Sequence, residues 1–237
     1  MGIIKFEVEG IFNSFRIPFF RTYHKTFLAP PKTTILGMLT NIMGKSEKFY
    51  YNILNEDKIK VSVVINSIKG KAKDLWAYKS LENKGGMHGR SIVRRDRLFN
   101  ARYTIYLKID ETSLEKEVFN SLVYPKAIPS LGLDDELIKI SSVKNEIKLV
   151  ENDTHIINSV FMDKGYEYEV KVKDFHNDIE LPTANIVPLK YIITEKKNLR
   201  TTRKAVEEYK QVEYINCYVK LKDIESFTYG EDSIVFY

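Results

Sequence analysis

The sequence predicts an α+β fold whose second half is rich in strands. Of its 237 residues, 43% are hydrophobic, which is enough to bury a substantial core, and 11 glycines with 7 prolines exclude a collagen-like or low-complexity chain. Stretches of helical and of strand periodicity alternate as far as about residue 145, whereas strand patterns alone follow from about residue 150. A single cysteine, Cys217, excludes an internal disulfide and indicates a reducing compartment.

The first predicted elements are two extended segments, a helix and a strand. A strand covers residues 3–8, and an extended segment follows over residues 15–20. Apolar residues at helical spacing, a proline at the start and Gly44 as a stop signal predict a helix over residues 31–43. Residues 59–68 are rich in Val and Ile and predict the second strand.

The next elements flank a basic stretch that contains glycines. Residues 83–102 predict a flexible loop or a protruding hairpin, and residues 103–109 alternate as a half-buried strand does. A helix is expected from Thr112, with Glu115 completing a capping box. Another strand is predicted over residues 137–143.

The predicted order of strand, helix, strand, strand, helix, strand is the ferredoxin-like arrangement that RNA-recognition modules use. We predict that this domain spans residues 1–148 and that a smaller β-rich part, residues 149–237, packs against it. A hairpin turn is indicated at Asp163-Lys164-Gly165. The strands predicted for the second part cover residues 156–162, 166–172, 186–194, 212–222 and 233–237.

The net charge of +5 is unevenly distributed along the chain. Residues 11–46, 84–102 and 190–204, here the first, second and third basic blocks, each carry a net charge of +5, and the remainder carries −10. All nine arginines lie in these blocks. Because the arginine fork suits phosphates and its plane stacks on bases, the pattern favours a surface for a polyanion over three unrelated solvated segments.

RNA is the polyanion that the first block favours. The helix start at Pro31 offers free N–H groups to a phosphate, with ordinary capping by Thr33 or Thr34 as the alternative. Aromatic residues that could stack on bases, or alternatively pack in the core, are interleaved with the basic ones: Phe19, Phe20, Tyr23 and Phe27. The predicted RNA-binding residues are Arg16, Arg21, Tyr23, His24, Lys25, Lys32, Thr33, Arg90, Arg94, Arg95, Arg97, Arg102, Arg200 and Arg203.

The sequence offers little catalytic chemistry. None of the four histidines has metal-ligand spacing, and no phosphate-binding loop, dinucleotide fingerprint or nucleophile elbow occurs, so no metal or cofactor is predicted. Tyr23-His24-Lys25 is the one cluster suited to cleaving RNA without a metal, with His24 as base and Lys25 stabilising charge. His88 is a second candidate base. Contact with RNA without catalysis is the alternative for His24.

Two stretches of the chain resemble the Cas five family of CRISPR-associated proteins. In residues 15–37, a Phe-Arg-Ile-Pro segment leads to a Pro-Pro-Lys-Thr helix start and then to a Leu-Gly pair. In residues 124–133, Tyr-Pro is followed by Pro-Ser-Leu-Gly-Leu, which is similar to the second signature of that family.

The resemblance implies a subunit of the RAMP superfamily in a type I interference complex, Cascade, more like subtype I-B than other subtypes. Such a subunit serves antiviral defence: it caps the 5′ handle of the crRNA, contacts the backbone and large subunits, and meets target DNA only indirectly. Residues 83–102 would be its thumb hairpin. The subtype I-C branch processes precursor crRNA with a Tyr and a Lys-His pair, which this chain lacks. A non-catalytic role is therefore expected, with a metal-independent endoribonuclease as the alternative.

Export and membrane signals are not found in the sequence. Glu7 and Glu9 interrupt the apolar run that a signal peptide needs, and no uncharged apolar stretch approaches about 18 residues. We therefore expect a cytoplasmic protein without membrane contact.

Overall fold

The computed structural model describes residues 2–20, 23–79, 90–171, 183–195, 201–222 and 224–237. Within these residues the chain forms three helices and fourteen strands, a mixed α+β fold in which strands predominate. The helices are α1 (Lys32–Ile42), α2 (Glu47–Asn55) and α3 (Thr112–Val123). The strands are β1 (Gly2–Asn13), β2 (Tyr23–His24), β3 (Ile59–Lys79), β4 (Arg90–Ile109), β5 (Ile138–Lys144), β6 (Val150–Glu151), β7 (Ile156–Ile157), β8 (Phe161–Met162), β9 (Tyr168–Lys171), β10 (Thr183–Glu195), β11 (Thr201–Tyr214), β12 (Tyr218–Leu221), β13 (Phe227–Tyr229) and β14 (Asp232–Ile234).

The largest sheet is built around β4, and its long strands lie in the order β5-β1-β4-β3, each antiparallel to its neighbour. The predicted succession of strand, helix, strand, strand, helix, strand is confirmed, with β2 and α2 as additions. Helix α2 escaped prediction because its nine residues mix aromatic and asparagine residues of modest helix propensity; Ser46 caps it by accepting from the Phe49 N–H.

One face of this sheet carries the main core. Phe6 of β1 and Tyr103 of β4 are fully buried in the same hydrophobic cluster as Leu39 of α1 and Val118 of α3. This core also takes in residues from beyond position 149, including Tyr214, so the two sequence halves share it. The domain boundary at residues 148–149 stays a prediction.

The opposite face of the sheet is partly covered by β13 and β14. The Tyr106 hydroxyl donates to Asp232 Oδ2 at 2.6 Å, and Lys5 Nζ lies 5.4 Å from the centre of the Tyr229 ring. Lys108 Nζ likewise lies 5.9 Å from the Phe227 ring. Burial and the bond to Asp232 together raise the pKa of Tyr106. This part of the second sheet face is therefore covered by the chain itself.

The basic stretch predicted as a loop or hairpin is a hairpin of two long strands. Pairing of β3 with β4 runs from Ile59 opposite Ile109 to Lys79 opposite Arg90. The loop interpretation is thus wrong for residues 90–102, which are strand; residues 83–89 lie outside the described residues. Strand β4 continues because β3 supplies a hydrogen-bonding partner along its whole length, although its arginine-rich half lacks apolar alternation.

Three local predictions need correction. Glu111, not Thr112, is the N-cap of α3, and its side chain makes no capping bond, so the predicted capping box is absent. The turn at residues 163–165 forms, with Gly165 at φ +81°, but β8 pairs with β11 and β9 with β12, so no hairpin results. Residues 15–20 do not continue β1; Arg16 instead forms a bridge with Thr26.

A buried carboxylate joins the amino-terminal segment to the second family signature. Glu136 accepts from the Ser14 N–H and hydroxyl, each at 2.7 Å, and from the Leu133 N–H at 3.0 Å. Gly132 passes beside this carboxylate at φ +115°, a conformation that side chains with a Cβ strongly disfavour. This close approach therefore requires a glycine at position 132.

None of the described helices combines the length and the apolar character needed to cross a bilayer.

Replacing Gly132 with Ala is expected to lower the free energy of unfolding by about 3 kcal/mol, because the new Cβ would lie 2.1 Å from Glu136 Oε2 and 2.6 Å from the Ser14 carbonyl oxygen. Urea denaturation measures this loss. Gly165→Ala is the matched control: it also has positive φ but meets nothing within 4 Å, so it should cost about 1 kcal/mol. Equal losses in the two variants would contradict the steric argument.

Candidate nucleic-acid interface

The first and second basic blocks meet where β2 pairs with β4. Tyr23 lies opposite Arg94 and His24 opposite Arg95 in a short parallel ladder. Because side chains alternate along strands, Tyr23 and Arg94 project to one face and His24 and Arg95 to the other. Two segments separated by about 70 residues thus form one continuous basic region, which we call the β2–β4 junction.

On the first face of the junction, Tyr23 is held by a carboxylate. Its hydroxyl donates to Asp96, and this bond is the main cause of a raised pKa for Tyr23. Arg94 is exposed beside it. Lys73, opposite Asp96 on β3, is exposed as well. This face presents two cations to solvent beside one carboxylate, Asp96, which accepts a hydrogen bond from Tyr23.

On the second face, two arginines are anchored by acids. Arg95 is buried, and its Nε and Nη2 both lie 2.9 Å from Asp74 Oδ2, with the guanidinium 5.3 Å from the Trp76 ring. Its Nη1 finds no hydrogen-bond partner among the described residues. Arg97 Nε lies 3.4 Å from Glu136 Oε1. These arginines fix the root of the hairpin as well as contributing charge.

His24 is close enough to two arginines, Arg16 and Arg95, to feel their charges. Partial burial is the largest cause that lowers its pKa, and the charges of Arg16 and Arg95 lower it further. Both causes favour the neutral form of the imidazole, whose ring nitrogens supply one donor and one acceptor.

The segment before β2 folds back on itself and exposes two aromatic rings. The Ile17 N–H donates to the Lys25 carbonyl at 2.9 Å and the Phe27 N–H to the Phe15 carbonyl at 2.8 Å. Phe19 and Phe20 lie in the intervening turn and are exposed, and Lys25 Nζ is 4.8 Å from the Phe20 ring.

The structure separates the four aromatic residues by environment. Phe27 is buried and stacks on Tyr214 with ring centres 5.1 Å apart, so its predicted role as a base stacker is wrong and the core alternative holds. Tyr23 is half-buried and bonded to Asp96. Phe19 and Phe20 have rings open to solvent.

Lys32 is removed from the predicted RNA-binding set. Its side chain is buried, its Nζ contacts the Asp57 carboxylate, and the same atom lies 3.4 Å from the Tyr237 carbonyl oxygen. Thr33 stays partly exposed in the first turn of α1, whose N-cap is Pro31. Within the described part of the chain, no side chain caps this helix, so the capping alternative finds no support.

The remaining predicted residues are more scattered. Arg102 is exposed, with its Nε 3.6 Å from Glu9 Oε2. Arg90 and Arg203 are strand residues opposite Lys79 and Ile193, respectively, and their side chains lie outside the described part. The predicted residues outside the described ranges are Arg21, His88 and Arg200.

Three residues of the junction were missed by sequence reasoning: Asp74, Trp76 and Glu136. Asp74 interrupts a run of alternating lysines, and this was the one signal of a neutralising role. Trp76 and Glu136 gave no signal, because their partners on β4 become visible only with the strand register. Within the described ranges, no group of three or more His, Cys, Asp or Glu residues could hold a metal ion.

Within the described residues, the sheet face opposite the helices is partly covered by β13 and β14. RNA-recognition modules stack bases on aromatic residues of the sheet surface. Here Tyr106, an aromatic residue on that face of β4, is fully buried and bonded to Asp232 of β14. The accessible basic and aromatic groups lie instead at the β2–β4 junction and in the turn before it.

We predict that the pKa of His24, followed by NMR titration of its ring protons, lies below the ordinary value of about 6.5. Arg16→Gln should raise this pKa because it removes a nearby positive charge. Arg102→Gln removes an exposed arginine that is not among the charges acting on His24, and it should leave the pKa unchanged. An unaltered pKa in the Arg16 variant would show that the two side chains do not interact.

Comparisons with known proteins agree with this architecture. A family model described as CRISPR-associated protein (Cas_Cas5) matches residues 3–201. A CRISPR protein from Archaeoglobus fulgidus shares the fold with a TM-score of 0.55 and 13% identity, over 99% of this chain and 98% of that one. A chain of a CRISPR RNA-guided surveillance complex matches with a TM-score of 0.52 and 11% identity, over 98% and 95% of the two chains.

No curated protein matches the sequence significantly. The family model nevertheless spans most of the chain, including both stretches on which the predicted resemblance rests. The family predicted from the sequence is therefore confirmed, while the subtype stays a prediction. The chain belongs to the Cas5 family of CRISPR-associated proteins.

Proposed function

We propose that this chain is a non-catalytic, RNA-binding subunit of a type I CRISPR interference complex, Cascade, and that it caps the 5′ handle of the crRNA. In this role it contacts the backbone and large subunits in the cytoplasm and meets target DNA only indirectly. Family membership and the fold shared with a chain of an RNA-guided surveillance complex support an assembly role. Subtype I-B is the proposed branch, on the motif in residues 15–37.

The observation that carries the RNA-binding proposal is the joining of two basic blocks at the β2–β4 junction. Exposed Arg16, Lys25 and Arg94 supply phosphate contacts, and His24, on the opposite face of the junction from Arg94, adds a hydrogen-bonding group. Buried Arg95 is oriented by Asp74, so the local positive charge is held on a rigid strand pair rather than on a loop. A polyanion with flexible single-stranded segments fits such a surface.

The strand order supports the ferredoxin-like assignment and the thumb. The sequence of elements and the order β5-β1-β4-β3 are those expected when two strand-helix-strand units interlock. Strand β1 leaves β4 at Leu98, whereas β3 accompanies β4 as far as Arg90. The part of the β3–β4 hairpin beyond Leu98 therefore extends past the end of β1, as is proposed for the thumb.

Binding to repeat-derived 5′-handle RNA tests the proposal. The double variant Arg16→Gln with Arg94→Gln is expected to bind about tenfold or more weakly at moderate salt, and to reduce the slope of log affinity against log salt by about 1 to 1.5, since two phosphate contacts are lost. Fluorescence anisotropy over a series of salt concentrations measures both quantities.

Lys116→Gln provides the control for this experiment. Lys116 is an exposed cation on α3, outside the three basic blocks, so its loss should change neither the affinity nor the salt slope appreciably. An unchanged salt slope in the double variant would remove the β2–β4 junction from the RNA-binding surface. Failure of the wild-type protein to bind the RNA at all would overturn the proposed function.

The endoribonuclease alternative is tested separately with repeat RNA in the presence of a chelator. We expect the RNA to stay intact, because the chain lacks the Lys-His pair of the branch that processes precursor crRNA, and because the Tyr23 hydroxyl is engaged with Asp96. Gel analysis after prolonged incubation measures cleavage. A discrete cut that disappears in His24→Ala would support the enzyme and contradict the non-catalytic role.

A further inference from the structure

Two aromatic pairs connect the segment before and after β2 to the same strand, β11. The inner pair is Phe27 with Tyr214, whose nearly parallel rings lie 5.1 Å apart and are both buried in the main core. The outer pair is Phe19 with Tyr209, whose ring centres are 6.0 Å apart at an angle of 39°. The segment therefore contacts β11 twice, once through a buried aromatic pair and once through a solvent-exposed aromatic pair.

Both rings of the outer pair are more exposed than a contact that only fixes the segment to β11 would need to be. Phe19 is 58% exposed and Tyr209 47% exposed, so each ring leaves a large part of its surface in water while touching the other. The inner pair already ties this segment to β11, with both rings buried. Since exposed aromatic surface is unfavourable in water, a pair of this kind indicates a surface that is covered on binding.

The surroundings of the outer pair identify the chemistry of the ligand. Phe20, next in the chain, lies 4.8 Å from the Lys25 ammonium group, and the Arg16 guanidinium lies 3.5 Å from the Phe20 carbonyl oxygen. Phe20, the neighbour of Phe19 in the chain, therefore has two cations beside it, one at its ring and one at its carbonyl oxygen. A partner that brings a flat π-face together with negative charge matches this arrangement, and a nucleotide has both.

We propose that Phe19 and Tyr209 form a stacking platform for one unpaired base of the bound RNA, with Arg16 and Lys25 contacting the flanking phosphates. This inference rests on the proposed RNA-binding function and adds to it a residue of the second half, Tyr209, which lies outside the basic blocks. The Phe19 ring has no hydrogen-bonding group, so the platform accepts any base and reads no sequence at that position.

Abasic scanning of the RNA tests the platform directly. Repeat-derived RNAs carrying a single abasic nucleotide at successive positions are titrated against the wild-type protein, and one position is expected to lose about 5- to 100-fold in affinity. Phe19→Leu and Tyr209→Leu should weaken binding of the intact RNA by a similar factor and bind that abasic RNA no more weakly than the intact one. Tyr209→Phe keeps the ring and should behave as wild type.

Three measurements separate this inference from the proposed function. The leucine variants keep every charge, so their salt slope should equal that of the wild type, unlike that of the arginine variants. Tyr124→Leu alters an aromatic residue that is 80% exposed at the end of α3 and should leave RNA binding intact. Circular dichroism confirms folding, which half-exposed rings should not control.

If the wild-type RNA affinity depends on Arg16 and Arg94 but is the same in both leucine variants, the platform is wrong while the RNA-binding function stands. Leucine variants that still discriminate the abasic position also overturn the platform, because the base must then stack elsewhere. If the wild-type protein binds no RNA, the proposed function itself fails.

Discussion

Backbone pairing to a single strand, β4, holds together every element that carries the basic surface. Strand β3 accompanies it along its entire length, while β1 and then β2 occupy its other edge. The amino-terminal basic segment reaches the arginines of the second block only through the two-residue contact of β2. Without β4 in this register, the first and second basic blocks would remain two separate stretches of sequence and would share no surface.

Two carboxylates compensate the charges of two arginines on β4 that are largely shielded from solvent. A buried guanidinium without a partner is strongly destabilising, and Asp74 and Glu136 each place an oxygen beside one of them, Arg95 and Arg97. Glu136 also binds the Ser14 backbone and the glycine loop, so neutralising the hairpin root and shaping the second family signature are tasks of the same side chain. Charge compensation and loop geometry are therefore inseparable here.

Sequence periodicity predicted the elements whose side chains alternate between core and solvent, such as α1 and the apolar half of β3. It failed for residues 90–102, because cross-strand partners rather than apolar alternation stabilise that half of β4. Phe19 and Phe27 are the same residue type, yet Phe19 is exposed and Phe27 is buried. Their partner rings, Tyr209 and Tyr214, lie nearly 190 residues later in the chain. Lys32 belongs to a basic block, yet its side chain is buried and its Nζ contacts Asp57. Long-range partners of this kind leave no periodic signal.

The geometry of the β3–β4 hairpin follows from its ladder. The nine consecutive pairs from Lys71 to Lys79 span about 30 Å at the usual rise of a strand. Toward the sheet, the pairing is irregular at two neighbouring places: a register shift at Asn66, whose side chain bonds Thr104, and a left-handed backbone at Asn100, φ 45°. The distal portion is thus a regular ladder, and the departures from regular geometry lie where the hairpin joins the sheet.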